Sequence, residues 1–164
     1  MKSLLVLVSG LMLMSADLSQ AQSAFDKMSN SKLEKILYRV SEEVDRIPGS
    51  EDTPGRWKMV FMQRELFVIT DEIANRMRVM TPIIEEENLD MEDMKVLLEA
   101  NFDRALDAKY SLYQGFLWSS FTHPLEELTV EQFKDAIKQV ATLADRYGDT
   151  YSSTDLVFGE GSEN

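Results

Sequence analysis

From Arg76 to Ile83 the hydrophobic pattern repeats every second residue, whereas Leu33 to Ile47 before it and Met94 to Phe102 after it repeat about every 3.6 residues. A sheet flanked by helices is the fold such a change of period demands. Trp57 to Met62 and Leu66 to Asp71 are rich in aromatic and branched residues, and the charged Arg64-Glu65 step between them predicts a turn. In Arg76 to Ile83, Met77, Val79, Thr81 and Ile83 alternate with Arg76, Arg78, Met80 and Pro82, which predicts a third strand with one apolar and one partly wet face. Leu66, Ile69, Ile73 and Met77 also fit a helical period, so one helix over Leu66 to Met80 is the competing reading, and it removes the turn at Asn75.

The flanks read as helices. Leu33, Ile36, Leu37, Val40, Val44 and Ile47 predict a first amphipathic helix, with Ser31 and Glu34 spaced as a capping box and Pro48-Gly49 as its end. Asp90 starts a second, carried by Met94, Leu97, Leu98 and Phe102 and ending near Asp103. Tyr110 to Leu112 and Phe116 to Thr122 form a strand pair around a Gln114-Gly115 turn, closed by Pro124. Thr129 and Gln132 are spaced as a capping box before the stripe Phe133, Ala136, Ile137, Val140, Leu143, Ala144 and Tyr147, with Gly148 suited to the carboxyl-terminal cap. The expected fold is α+β, an antiparallel sheet covered by helices in the order helix, three strands, helix, two strands, helix.

Composition narrows the chemistry. A chain of 164 residues holds one ordinary domain and no second full one. With 29 acidic and 17 basic residues its net charge is -12, so nucleic acid and anionic membranes are repelled and a basic partner is attracted. The absence of cysteine excludes disulfides and thiolate chemistry. Lys2, the apolar run Ser3 to Met14 and the small residues Ser19 and Ala21 have the order of a signal peptide cleaved after Ala21. The run is shorter than the roughly 20 residues a membrane-spanning helix needs, so no permanent anchor is expected. The segments are therefore 1–21, signal peptide; 22–30, flexible amino-terminal segment; 31–148, the α+β domain; and 149–164, a tail in which Leu156-Val157-Phe158 is suited to local docking. The expected location is periplasmic or secreted.

The order of elements, with Trp57 to Ile83 as a meander and Lys109 to His123 as a closing pair, resembles the type III secretion chaperone-like fold, which bacterial YbjN-like proteins share. Its most distinctive blocks are RELFVITDEIANRMRVMTP, from Arg64 to Pro82, and NFDRALDAKYSLYQGFLWSSFTHPL, from Asn101 to Leu125. The resemblance implies a small acidic protein, often dimeric, that binds another protein without chemical turnover. It carries over no functional residue. The signal peptide departs from that family, whose members load their substrates in the cytoplasm.

Enzyme motifs are missing. His123 is the only imidazole, and neither HExxH, a P-loop, GxGxxG nor a nucleophile-elbow context occurs. No catalytic, cofactor-binding or metal-ligating residue is assigned. The candidate interface residues are Trp118, Phe116, Tyr110 and Tyr113, as an aromatic patch that excludes water, with Arg76 and Arg78 as carboxylate receivers. The leading expectation is a noncatalytic exported protein-binding or assembly adapter with a protein partner and a homodimeric state. The alternatives are a small-molecule hydrolase using His123 with Asp71 or Glu72, and a structural envelope component.

Overall fold

The computed structural model of the chain describes residues 27–48 and 55–155. The signal-peptide reading of residues 1–21 and the Leu156-Val157-Phe158 docking segment lie outside them. The first helix, α1 (Asn30–Val40), buries Leu33, Ile36 and Leu37. It stops well short of Ile47. Ser41 leaves the helical region at its end, and its hydroxyl accepts the Val60 N–H at 3.1 Å and donates to the Val60 carbonyl at 2.8 Å. The chain is thereby turned onto the sheet edge, where Val44 to Arg46 become a short strand, β1 (Val44–Arg46), instead of a last helical turn. The Ser31/Glu34 capping box does not form: Ser29 is the cap position, and the Glu34 carboxylate accepts from the Trp57 indole at 3.0 Å.

Three antiparallel strands follow, β2 (Gly55–Phe61), β3 (Arg64–Asp71) and β4 (Arg76–Glu85). The stretch Leu66 to Met80 is therefore a hairpin and not a helix. The β2–β3 turn is Met62-Gln63, both left-handed at φ +52 and +61, so Arg64 and Glu65 sit in the strand rather than the turn. Asn75 makes the next turn at φ +51, a conformation its short amide tolerates. A single 3₁₀ turn leads into α2 (Met91–Asp103). Asp90 caps that helix by accepting from Glu92 and Asp93 N–H groups, and the Asp93 carboxylate returns the bond to the Asp90 N–H. Strands β5 (Lys109–Tyr113) and β6 (Phe116–His123) close around Gln114-Gly115, both at positive φ as the turn signal expects. The last helix, α3 (Val130–Asp145), opens on the expected Thr129/Gln132 capping box, and Gly148 lies beyond its end at φ +79.

Among the described residues the sheet has six strands in the order β1-β2-β3-β4-β6-β5, every neighbouring pair antiparallel. The expected α+β order holds, with β1 added at one edge. Inward-facing Trp57, Met59, Leu66, Val68, Met77, Val79, Leu117 and Phe121 meet Leu33 and Leu37 of α1 and Phe133, Ile137 and Val140 of α3 in one core. Helix α3 lies over β3, β4 and β6, α1 beside β2, and α2 along β5.

Two amide side chains hold the β5 end. Gln139 of α3 is buried, and its carbonyl oxygen accepts from the Asp107 and Ala108 N–H groups at 3.2 and 3.1 Å. Asn101 of α2 donates to the Tyr110 carbonyl at 3.0 Å and accepts its N–H at 2.7 Å, so one side chain pairs with the sheet edge as a neighbouring strand does.

Candidate protein-binding face

The three helices among the described residues lie on one side of the sheet. Strand parity puts every second residue on the other side, and the register arranges those residues in rows across it. One row is Arg56, Ile69, Arg78 and Thr122. The next is Lys58, Phe67, Met80, Ser120 and Lys109. A third holds Val60 and Glu65 at one end and Pro82, Trp118 and Ser111 at the other. Ile69, Phe67, Met80, Pro82 and Trp118 therefore run down the middle as an apolar strip, with cations at its sides. Beyond the bulge between Pro82 and Ile84, Phe116 and Tyr113 extend it, 37% and 58% exposed.

The rings are set by contacts within the face. Trp118 meets Phe67 edge-on at 6.3 Å and Phe116 at 6.4 Å, and its indole N–H donates to the Tyr113 carbonyl at 2.9 Å. The indole is thus held with its flank available for contact and its polar atom satisfied. Trp118, Met80, Ile69, Ser111 and Lys109 line a shallow concavity of ≈ 600 Å³ toward the β5 edge.

The charges on this face oppose those of the whole chain. Arg56, Lys58, Arg76, Arg78 and Lys109 outnumber Asp45, Glu65 and Asp71 on the same strand faces. Lys58 is bound to Glu65 at 3.1 Å, and that bond raises the lysine pKa. Arg78 donates to the Thr122 hydroxyl at 3.1 Å, and Arg76 to the Asn75 carbonyl at 2.7 Å. Among the described residues, neither arginine forms an ion pair with a carboxylate. The surface is an apolar strip in a cationic frame on a chain of net charge -12.

Of the residues singled out in the sequence, Trp118, Phe116, Tyr113, Arg76 and Arg78 lie together here. Tyr110 lies on the opposite face, only 6% exposed, with its hydroxyl donating to the Leu143 carbonyl at 2.9 Å and its ring against Tyr147 and Tyr151. Burial raises its phenol pKa far above the usual value. Phe67, Ile69, Met80, Arg56, Lys58 and Lys109 also belong to the face and were not singled out. Extending the Arg76/Arg78 alternation across adjacent strands would have found them.

No hydrolytic dyad is assembled. His123 stacks on Phe121 at 6.3 Å and its Nδ1 lies 2.7 Å from the Pro124 carbonyl. Strand β4 separates it from Asp71. The Asp71 carboxylate accepts the Ala74 N–H at 2.8 Å, and that of Glu72 accepts the Asn30 N–H at 2.9 Å. Among the described residues no group of three or more His, Asp or Glu side chains could hold a metal ion, and no helix is long and apolar enough to cross a membrane.

No protein-family model matches the chain, and no curated protein matches it. Solved structures do. The chain is similar to a chain of the HopA1-SchA chaperone-effector complex, with 11% identity and a TM-score of 0.49 over 70% of this chain and 95% of that one. It is also similar to a chain of the ExsC-ExsE complex, with 14% identity and a TM-score of 0.47 over 71% and 90%.

Proposed function

We propose that this protein is an exported, noncatalytic adapter that holds a segment of another protein against the open face of its sheet. One observation carries the reading: among the described residues, no helix covers the strip of Ile69, Phe67, Met80 and Trp118, extended by Phe116 and Tyr113. Burying such a strip excludes water from several rings at once, which is where binding energy concentrates in protein interfaces. The arginines and lysines around it select a partner segment that carries carboxylates. The steering read from net charge is reversed locally, since an acidic chain here offers a basic binding face.

Photo-crosslinking from single positions tests this. A photoreactive phenylalanine analogue at Phe116 or Tyr113 is expected to capture a partner from the exported fraction, and one at exposed Tyr38 on α1 is expected not to. Capture at Tyr38 alone would overturn the reading. Export is tested by the mature amino terminus, expected at Gln22 by mass spectrometry.

The homodimer of this proposal uses α2. Met91, Leu98 and Phe102 are spaced by seven and four residues along one exposed line, and Phe102 is 91% exposed. A second copy of the same helix would bury that line about a twofold axis. Phe102→Glu is expected to yield a monomer in sedimentation velocity with unchanged circular dichroism, and a wild-type monomer at the same concentration refutes the dimer.

A further inference from the structure

The open face changes charge along its length. At one end, the row of Arg56, Ile69, Arg78 and Thr122 carries two exposed guanidinium groups and no carboxylate. Neither guanidinium forms an ion pair among the described residues. At the other end, the bulge between Pro82 and Ile84 shifts the outward parity of β4, so Glu85 stands opposite Phe116 on the same side as Trp118. The Glu86 N–H then donates to the Gly115 carbonyl at 2.8 Å, which holds Glu85, Glu86 and Glu87 against the β5–β6 turn. All three glutamates are exposed, and none forms an ion pair among the described residues. With Gln114, Gly115 and Phe116 they line a shallow hollow of ≈ 610 Å³.

This hollow adjoins the concavity around Trp118, because Phe116 and Trp118 meet edge-on at 6.4 Å. One concavity brings Arg78 and Lys109 to its rim and the other brings three carboxylates, with the rings between them. From Arg78 to Glu85 is seven residues along β4, roughly 23 Å. The outward rows repeat every two residues, about 6.6 Å, which is the repeat of side chains on one side of an extended chain and longer than the roughly 5.4 Å turn of a helix. One extended segment of about nine residues therefore covers the rings and reaches both ends. A second copy brings the same hollowed surface, and two hollows set against each other leave the space between them unfilled.

We propose that the face takes a charge-graded segment of another protein, with carboxylates at the Arg56 and Arg78 end, apolar residues over Trp118 and Phe116, and lysines or arginines at the Glu85 to Glu87 end. This rests on the protein-binding reading and adds to it a basic end that the cationic frame alone does not call for. The gradient also fixes which way round the segment lies, since the reverse placement sets both of its ends against their own sign.

Three end-blocked synthetic nonapeptides test this. All share the core Phe-Ser-Val-Ser-Phe. The graded one carries two glutamates at one end and two lysines at the other, and is made in both chain directions; the second carries glutamates at both ends, the third lysines at both. Binding is followed by ¹H–¹⁵N NMR of the Trp118 indole and the Phe116 amide at about 0.15 M salt, where a Debye length of about 8 Å screens the distant charge of the chain. The graded peptide, in the better of its two directions, is expected to bind at least about fivefold tighter than either uniform one, the effect of about two exposed ion pairs at the mismatched end. Glu85→Lys with Glu86→Lys is expected to move the preference to the peptide with glutamates at both ends, and Arg56→Glu with Arg78→Glu to the one with lysines at both, each with unchanged circular dichroism. Equal affinities, a wild-type preference for either uniform peptide, or no response at Trp118 and Phe116 to any of them overturns the proposal. Shifts of those signals that follow protein concentration without peptide assign the face to a second copy and overturn it equally. Photo-crosslinked partner capture at Phe116 is the separate readout of the adapter reading: capture without a charge preference sinks only this inference, and the preference without capture sinks the adapter.

Discussion

Replacing Gln139 by leucine removes one side-chain amide and should loosen the end of the sheet nearest the open face. Gln139 is 2% exposed, and its carbonyl oxygen is the acceptor for two consecutive backbone N–H groups, those of Asp107 and Ala108. Leucine fills nearly the same volume, so the change tests hydrogen bonding more than packing. Ala108 is fully buried, and leaving its N–H without a partner costs about 1 to 3 kcal/mol. Asp107 is exposed and regains water at little cost. The Asp135 carboxylate, which accepts from the Gln139 amide at 2.7 Å, turns to solvent. Extra apolar burial returns about 1 kcal/mol at most. The net expected loss is about 1 to 2 kcal/mol. With a urea slope of about 2 kcal/mol per molar, the unfolding midpoint falls by roughly 0.5 to 1 M. A midpoint unchanged or raised at equal slope would falsify the reasoning. Gln139→Glu sharpens it: the carboxylate keeps both acceptor roles but faces Asp135, so its folded pKa is raised. Stability is then lost as pH rises above the unfolded value near 4.3, and the variant should approach wild type only toward that pH.

Three further outcomes follow from other parts of the fold. A Cβ added at Gly55 would lie 2.3 Å from the fixed Trp57 ring and 2.6 Å from the Thr70 hydroxyl, so Gly55→Ala should cost about 1 to 3 kcal/mol in thermal unfolding, and an unchanged melting temperature contradicts the packing. Tyr110, whose folded phenol pKa is raised above its ordinary 10.0 first by burial, contributes stability that is intact below pH 10 and lost as pH climbs beyond it. Tyr110→Phe should lose about 1 kcal/mol at pH 7 yet flatten that alkaline decline in urea midpoints, and an equally steep decline in both proteins refutes the assignment. The Asn75 amide donates to Glu127 at 3.0 Å and holds that carboxyl below its usual range, so Glu127 stabilises the fold above the ordinary carboxylate pKa and ceases to as pH falls. Asn75→Gly keeps the turn's positive φ and should return the Glu127 titration, followed by NMR, to an ordinary value.

Much of this architecture is legible in the residues because the burial periods are clean. Met77, Val79 and Thr81 face inward as their alternation requires, and Thr129 with Gln132 starts α3 through two reciprocal bonds. The misreadings have specific causes. Val44 continued the helical period of α1 and is also a partly buried residue packed on the core from β1, so periodicity could not separate the two states. The Met62-Gln63 turn carries neither Gly, Asn nor Asp, and the charged step after it gave the stronger turn signal. On α2 the apolar residues occupy two lines, and only the Leu97 and Ala100 line meets the core. For the binding face, parity separates the candidates: Phe116 and Trp118 share a side, as do Arg76 and Arg78, whereas Tyr110 and Tyr113 are three apart and must point oppositely along a regular strand. What one sequence did not display was that, among the described residues, no helix returns to cover the second face.

The amide of Asn101 gives the sheet a finished border. Because it engages both backbone groups of Tyr110, an incoming strand would have to evict a bonded side chain before pairing there, and by alternation the Leu112 step is the next place along β5 to begin. Lateral growth from this edge is thereby checked at its base, and the molecule can keep a broad greasy platform in water without also offering a template for fibre extension.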